Sequence, residues 1–184
     1  MSRRILEFTT PNRCVVGTVG MPGERTFFLQ VRSGSDIASV VIEKGQAQVL
    51  AERIDALLDE AKAQGRAQIP DRGEGISADV EPLDAPITEE FRIGAMALGW
   101  DEDSSHVVIE AHEVSDETVA EIGDDGPGPD TLRIWLSADQ ARAFANRTRR
   151  VVAAGRPSCA FCGQALDPAG HLCPRANGYR RREP

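Results

Sequence analysis

No apolar run in the sequence approaches the ~18–20 residues that a membrane-crossing helix needs. Behind Arg3 and Arg4 there is also no apolar stretch long enough to form the core of a secretory signal. Together these absences predict a cytoplasmic protein. Cysteine is scarce: there are four in 184 residues, and three of them fall within the last 26. So skewed a distribution is not the disulfide framework of a small secreted domain. Lysine is nearly missing, with Lys44 and Lys62 the only two among 21 basic residues, and Tyr179 is the single tyrosine. The common catalytic signatures are absent as well. Gly17, Gly20 and Gly23 precede no helix pattern, no Gly-Lys-Ser/Thr phosphate loop is present, and there is no Gly-x-Ser-x-Gly elbow.

What remains is ordinary globular composition, 41% apolar and 27% charged, in a chain of single-domain length. The net charge of −8 is unevenly placed. From Arg142 onward nine arginines stand against Asp167 and Glu183, a net +7, which leaves residues 1–141 at −15. A basic end on an acidic body either meets an external anion or docks on the body itself. No aromatic cluster accompanies the arginines to stack bases, which favours the second reading.

Hydrophobic periodicity predicts an α+β fold. Arg4–Phe8, Cys14–Val19, Thr26–Val31 and Ile37–Glu43 are short β-rich runs separated by turn residues, expected to form a four-stranded antiparallel meander. Val49, Leu50, Ile54, Leu57 and Leu58 then recur at helical spacing, which places a helix over Lys44–Ala63. Gln64–Glu90 is polar and rich in glycine and proline and reads as a long loop or linker. Phe91–Trp100, Val107–Val114 and Leu132–Leu136 follow as strands, with Trp100 and Trp135 read as core residues. Ser115–Asp130 reads as a loop. Ser137 is the N-cap of a second helix ending near Ala154. Gln46-Ala47, Leu50-Ala51 and Arg53 match Gln140-Ala141, Phe144-Ala145 and Arg147 at a constant offset, a possible trace of a duplicated sheet-plus-helix unit. The expected architecture is one antiparallel sheet with both helices on one face, forming a body over residues 1–154, followed by a small C-terminal unit over 155–184.

That C-terminal unit carries the strongest chemical signal. Cys159 and Cys162 form a C-x-x-C turn followed by Gly163, and His171 and Cys173 follow at C-x2-C-x8-H-x-C spacing. Two thiolates two residues apart can bite one ion, and His171 and Cys173 project from one face of an extended segment. Three thiolates and one imidazole fill a zinc tetrahedron and leave no open position, so the implied Zn2+ is structural. The segment has too few apolar side chains to order itself without a metal or a partner surface. A redox C-x-x-C would precede a helix, whereas this one follows one. Cys14 lies among strand residues and reads as a small buried hydrophobe, although it could serve as a fourth ligand if His171 does not.

Two weaker features remain. Arg175, Arg180, Arg181 and Arg182 surround Tyr179 after the cysteine motif, which is either a small nucleic-acid-binding tail or a solvated terminus. His106, Glu110 and His112 share strand parity, so an acid–base or metal pair could form on one sheet face.

Glu7-Phe8, Pro11-Asn12-Arg13, the Arg25–Gln30 strand, Cys159-Ala-Phe-Cys162-Gly163 and the stretch Gly170–Gly178 together resemble an actinobacterial family of conserved hypothetical proteins, domain of unknown function 3090. The resemblance implies a cytoplasmic protein, a single full-length unit and the zinc motif, and it supplies no catalytic residues. The sequence therefore points to a non-catalytic, zinc-stabilised binding or adaptor protein with a protein partner. The alternatives are nucleic-acid binding through the arginine-rich end, or an enzyme with a site near His106, Glu110 and His112.

Overall fold

The computed structural model describes residues 3–21, 23–66, 68–71, 79–115, 123, 126–154, 161–162 and 173. These form seven strands and two helices in the order β1 (Ile5–Phe8), β2 (Arg13–Val19), β3 (Thr26–Ser33), β4 (Asp36–Ile42), α1 (Lys44–Ala63), β5 (Glu89–Asp101), β6 (His106–Glu113), β7 (Thr131–Leu136) and α2 (Ala138–Ala153). The strands make one sheet in the order β1-β7-β6-β5-β4-β3-β2.

The sheet is mixed, which corrects the antiparallel expectation. β2-β3-β4 and β5-β6-β7 are antiparallel meanders, but β4 pairs parallel with β5 and β1 pairs parallel with β7. The first parallel pair follows from connectivity, because α1 and the segment after it carry the chain back to the starting end of β4. The second has a chemical cause. β1 leaves the expected meander because its partners lie on and beside β7. Glu7 stands opposite Arg133 in the register, and the Arg133 Nη1 donates to it at 2.7 Å. The Arg4 backbone N–H donates to Asp130 at 2.8 Å, and the Arg3 guanidinium donates to the Thr131 hydroxyl at 2.9 Å.

This topology forces the sheet to coil. β1 and β2 are its two edges, yet only residues 9–12 join them. Such a link reaches about 17 Å, whereas seven flat strands would hold the edges about 29 Å apart. Consistent with closure, α2 touches β2 as well as β6 and β7, and Gln140 of α2 donates to the Pro11 carbonyl at 2.8 Å.

Both helices lie against the same sheet face and against each other. Their buried residues Ala47, Leu50, Ala51, Ile54 and Leu58, and Ala141, Phe144 and Ala145, join alternate strand residues such as Leu29, Val31, Val40, Ile42, Ile109 and Ile134 in one core. The helices run in opposite directions, as the pairs Asp59–Arg142 and Asp55–Arg149 require. Arg142 is fully buried and bonds Asp55 at 2.6 Å. Each helix opens with a capping box whose third residue is a glutamine, Gln46 in α1 and Gln140 in α2. The Gln-Ala likeness between the helices thus marks a shared way of starting a helix and turning alanines inward. Arg53 and Arg147 part company, the first exposed and the second buried.

The stretch expected to be a linker is, over residues 79–88, a strap packed on the far face of the sheet. Leu83 lies where a Cβ on Gly17 would fall, 2.6 Å away. Gln30 and Asp84 exchange two hydrogen bonds of 2.7 and 3.0 Å. Arg13 bonds Asp79 and Asp84, and Arg147 reaches past β2 to the carbonyls of Val16, Asp79 and Glu81. The Arg13 guanidinium holds the Asp79 carboxyl below its ordinary range.

Candidate functional site

Alternation in β6 and β7 sends Ile109, Ala111, Leu132 and Ile134 into the core and turns Glu110, His112, Thr131 and Arg133 to the opposite face. There they meet side chains from β1 and the preceding segment. Glu110, His112 and Thr131 are essentially without solvent contact. One Glu110 oxygen accepts from Arg133 Nε and from the Gly123 N–H at 3.0 Å. Arg133 continues to Glu7, so β1, β7 and β6 are tied across the sheet by a carboxylate–guanidinium–carboxylate row.

His112 sits beside this row. Its Nδ1 lies 3.0 Å from the Thr131 hydroxyl, and its Nε2 lies 3.6 Å from the second Glu110 oxygen. Among the described residues neither Nε2 nor that oxygen has a hydrogen-bond partner. The Thr131 hydroxyl is 3.0 Å from the Pro129 carbonyl and receives Arg3 Nη2 at 2.9 Å. The hydroxyl has one proton and two acceptors in reach, the Pro129 carbonyl and His112 Nδ1, so the imidazole tautomer is set by which of them takes it. Burial pushes the His112 pKa down. Glu110 opposes that shift, while Arg3 and Arg133 add to it.

Thr131, His112 and Glu110 thus stand in the order hydroxyl, imidazole, carboxylate. The hydroxyl is held by Pro129, His112 and Arg3, so the row joins Arg3, β6, β7, Gly123 and Pro129 rather than aiming a nucleophile outward. His106 does not belong to it. It shares the strand parity but lies six residues from His112, about 20 Å along the strand. Its ring packs on the Ser104 carbonyl at 2.6 Å. The sequence signal thus located two of three residues. It missed Arg133, Glu7, Arg3 and Thr131, although alternation in Thr-Leu-Arg-Ile-Trp-Leu already placed a charge on the Glu110 face.

Of the predicted zinc ligands, Cys162 is half-buried and Cys173 is buried. Cys159 and His171 lie outside the described residues, as do Arg175, Arg180, Arg181 and Arg182. Among the described residues no group of three or more His, Cys, Asp or Glu could hold a metal ion. Three thiols and an imidazole are the donors zinc prefers, so the residues present in the chain fit that ion. Cys14 packs against the core, and burial raises its thiol pKa far above the thiolate range, as expected of a small hydrophobe.

The basic end behaves in part as self-docking predicts. Arg142, Arg147 and Arg149 of α2 are all engaged by acidic residues of the body, namely Asp55, Asp59 and Asp79. No helix is long and apolar enough to cross a membrane among the described residues.

The chain belongs to the family described as Protein of unknown function (DUF3090), whose model matches residues 6–173. The match takes in the body and all four predicted ligands and stops short of the terminal arginines. No curated protein and no solved structure matches the chain.

Proposed function

We propose that this member of the family is a non-catalytic, zinc-stabilised binding or adaptor protein of the cytoplasm. Its α+β body, residues 1–154, supplies the recognition surface. Its C-terminal unit, 155–184, is a docking element ordered by one structural Zn2+ on Cys159, Cys162, His171 and Cys173. The observation that carries this reading is the C-x2-C-x8-H-x-C donor set, whose four protein ligands fill a tetrahedron and leave no position for substrate. The family match supports it by including all four ligands. The polar groups of the body support it as well, because Arg133 of β7 and Arg142, Arg147 and Arg149 of α2 point at the protein's own carboxylates. Two meander-plus-helix runs in succession suit a duplicated unit, a proposal resting on element order and the Gln-Ala repeat.

Elemental analysis of protein purified under reducing conditions tests the zinc reading. One zinc per chain is expected. A content well below one, with Cys159 and Cys162 joined as a disulfide, would replace it with redox chemistry. Recovery of a stoichiometric protein partner with the native chain from its own host tests the adaptor role. Co-purified nucleic acid, released by salt with a steep log–log slope, would shift the role to the arginine-rich end.

A further inference from the structure

We propose that the chain self-associates as a twofold dimer through α1 and the groove between α1 and β5. The groove encloses about 870 Å³, and Val49, Leu57, Met96 and Leu98 are among the residues that line it. Val49 is 45% exposed, and Leu57, Met96 and Leu98 are only partly covered. Along the outer edge of the groove, Val49, Arg53, Ala56 and Glu60 fall at helical spacing on one stripe of α1.

The charges on that stripe identify the occupant as a second copy. Arg53 and Glu60 are both exposed, and neither takes part in an ion pair among the described residues. The Glu60 carboxylate accepts only the Gln64 amide, at 3.0 Å. In α2, Arg142, Arg147 and Arg149 find carboxylates, and only exposed Arg150 has no ion pair among the described residues. An isologous contact brings each residue of a patch against its symmetry mate's counterpart. When two α1 helices pack antiparallel with the twofold axis between Ala56 and Leu57, Arg53 of each copy meets Glu60 of the other. Ala56, at the axis, is small enough to let the helices approach. Each α1 then lies along the groove of its mate and covers Leu57, Met96 and Leu98. One sequence supplies both halves of the charge pairing, which an unrelated partner would have to match independently.

A 20-residue helix is about 30 Å long, and with the groove beside it the footprint is on the order of 600 Å² per copy, below a standard ~800 Å². An interface of that size falls in the reversible class, so the test spans concentrations over which such a dimer would come apart. Sedimentation equilibrium of the full chain from roughly 1 to 500 µM should show a monomer–dimer equilibrium. Arg53→Glu and Glu60→Arg each place like charges across the twofold and should weaken the dimer at least about tenfold. The double variant R53E/E60R restores opposite charges and should return to within about threefold of the wild-type constant. Both positions are exposed, and circular dichroism of each variant checks that it folds before its association is compared. A monomer throughout the range overturns the proposal, as does a dimer indifferent to both reversals or a double variant that stays weak. A chelator should leave the equilibrium unchanged. A dimer lost with zinc would place the contact on the C-terminal unit and likewise overturn it.

Discussion

His112 Nε2 and Glu110 Oε2 face each other across 3.6 Å in a layer closed to solvent, and neither atom has a hydrogen-bond partner among the described residues. Two arginines share the layer, Arg133 on Glu110 and Arg3 on Thr131, and supply the positive charge that balances the carboxylate. The same arginines, with burial as the larger cause, hold the imidazole pKa below its ordinary value against the pull of Glu110.

This has a consequence for pH. The unfolded chain protonates His112 near pH ~6.5, whereas the folded chain does so only at a lower pH. Below that point of the scale the unfolded state binds more protons, so stability falls as pH drops from about 6.5 toward the folded value. Above about 6.5 the contribution of His112 is full and flat. Denaturant midpoints between pH 5 and 8 should show this loss, and His112→Gln should flatten that part of the curve. A wild-type midpoint independent of pH over the range would refute the sign.

The interhelical pair makes a second test. Arg142 and Asp55 are both buried, and Arg142→Met leaves the Asp55 carboxylate in the core with Arg149 as its remaining partner. Breaking one side of a buried pair costs about 3–5 kcal/mol, and the residual Arg149 contact sets the expectation at the lower end. Replacing both with D55L/R142M removes the stranded charge and should recover most of the loss. Urea unfolding of the two single variants and the double gives the coupling directly.

Two glycines rank by what surrounds them. A Cβ at Gly94 would lie 2.8 Å from the Val114 Cα, and the neighbouring contacts are backbone too. At Gly17 the obstacle is the side chain of Leu83, 2.6 Å away, which can rotate. Gly94→Ala should therefore cost about 1–3 kcal/mol by overpacking, and Gly17→Ala less. The reverse order in thermal denaturation would mean that the strap carrying Leu83 is held more rigidly than the backbone around Gly94.

The fold was legible wherever a segment's own period decides it. Both helices and all seven strands stand where hydrophobic spacing put them, because Leu50, Ile54 and Leu58, or Leu29 and Val31, must share a face to be buried. The antiparallel pairing of β2, β3 and β4 was legible too, but the place of β1 was not, since β1 has the composition of any edge strand and its position beside β7 rests on Glu7 meeting Arg133, 126 residues away. The strap over residues 79–88 was hidden for a similar reason. Its polar, proline-containing sequence looks like a linker until Arg13, Gln30 and Arg147 bind its carboxylates and carbonyls. Of the candidate site, parity joined Glu110 to His112 correctly. It could not exclude His106, because period two fixes the face of a residue and not its distance.

The C-terminal unit separates two forces that chelator and salt can address independently. If zinc alone orders it, removing the metal should expose the bond after Phe161, inside the predicted ligand loop, to chymotrypsin at any ionic strength. The thermal transition of the body should then hardly move, since the buried cluster shared by sheet and helices includes none of the four predicted ligands. If the terminal arginines also dock on the acidic body, raising salt from about 0.05 to 0.5 M should accelerate the same cleavage with zinc still bound, because screening weakens exposed pairs. The Arg142–Asp55 pair, being buried, should not respond to that salt change. Cys162→Ser should reproduce the chelated pattern, because three remaining ligands cannot close the tetrahedron without recruiting water. Cleavage rates equal in all four combinations of chelator and salt would mean that neither zinc nor charge orders the segment, and a body transition falling together with zinc loss would mean that the metal supports the whole fold.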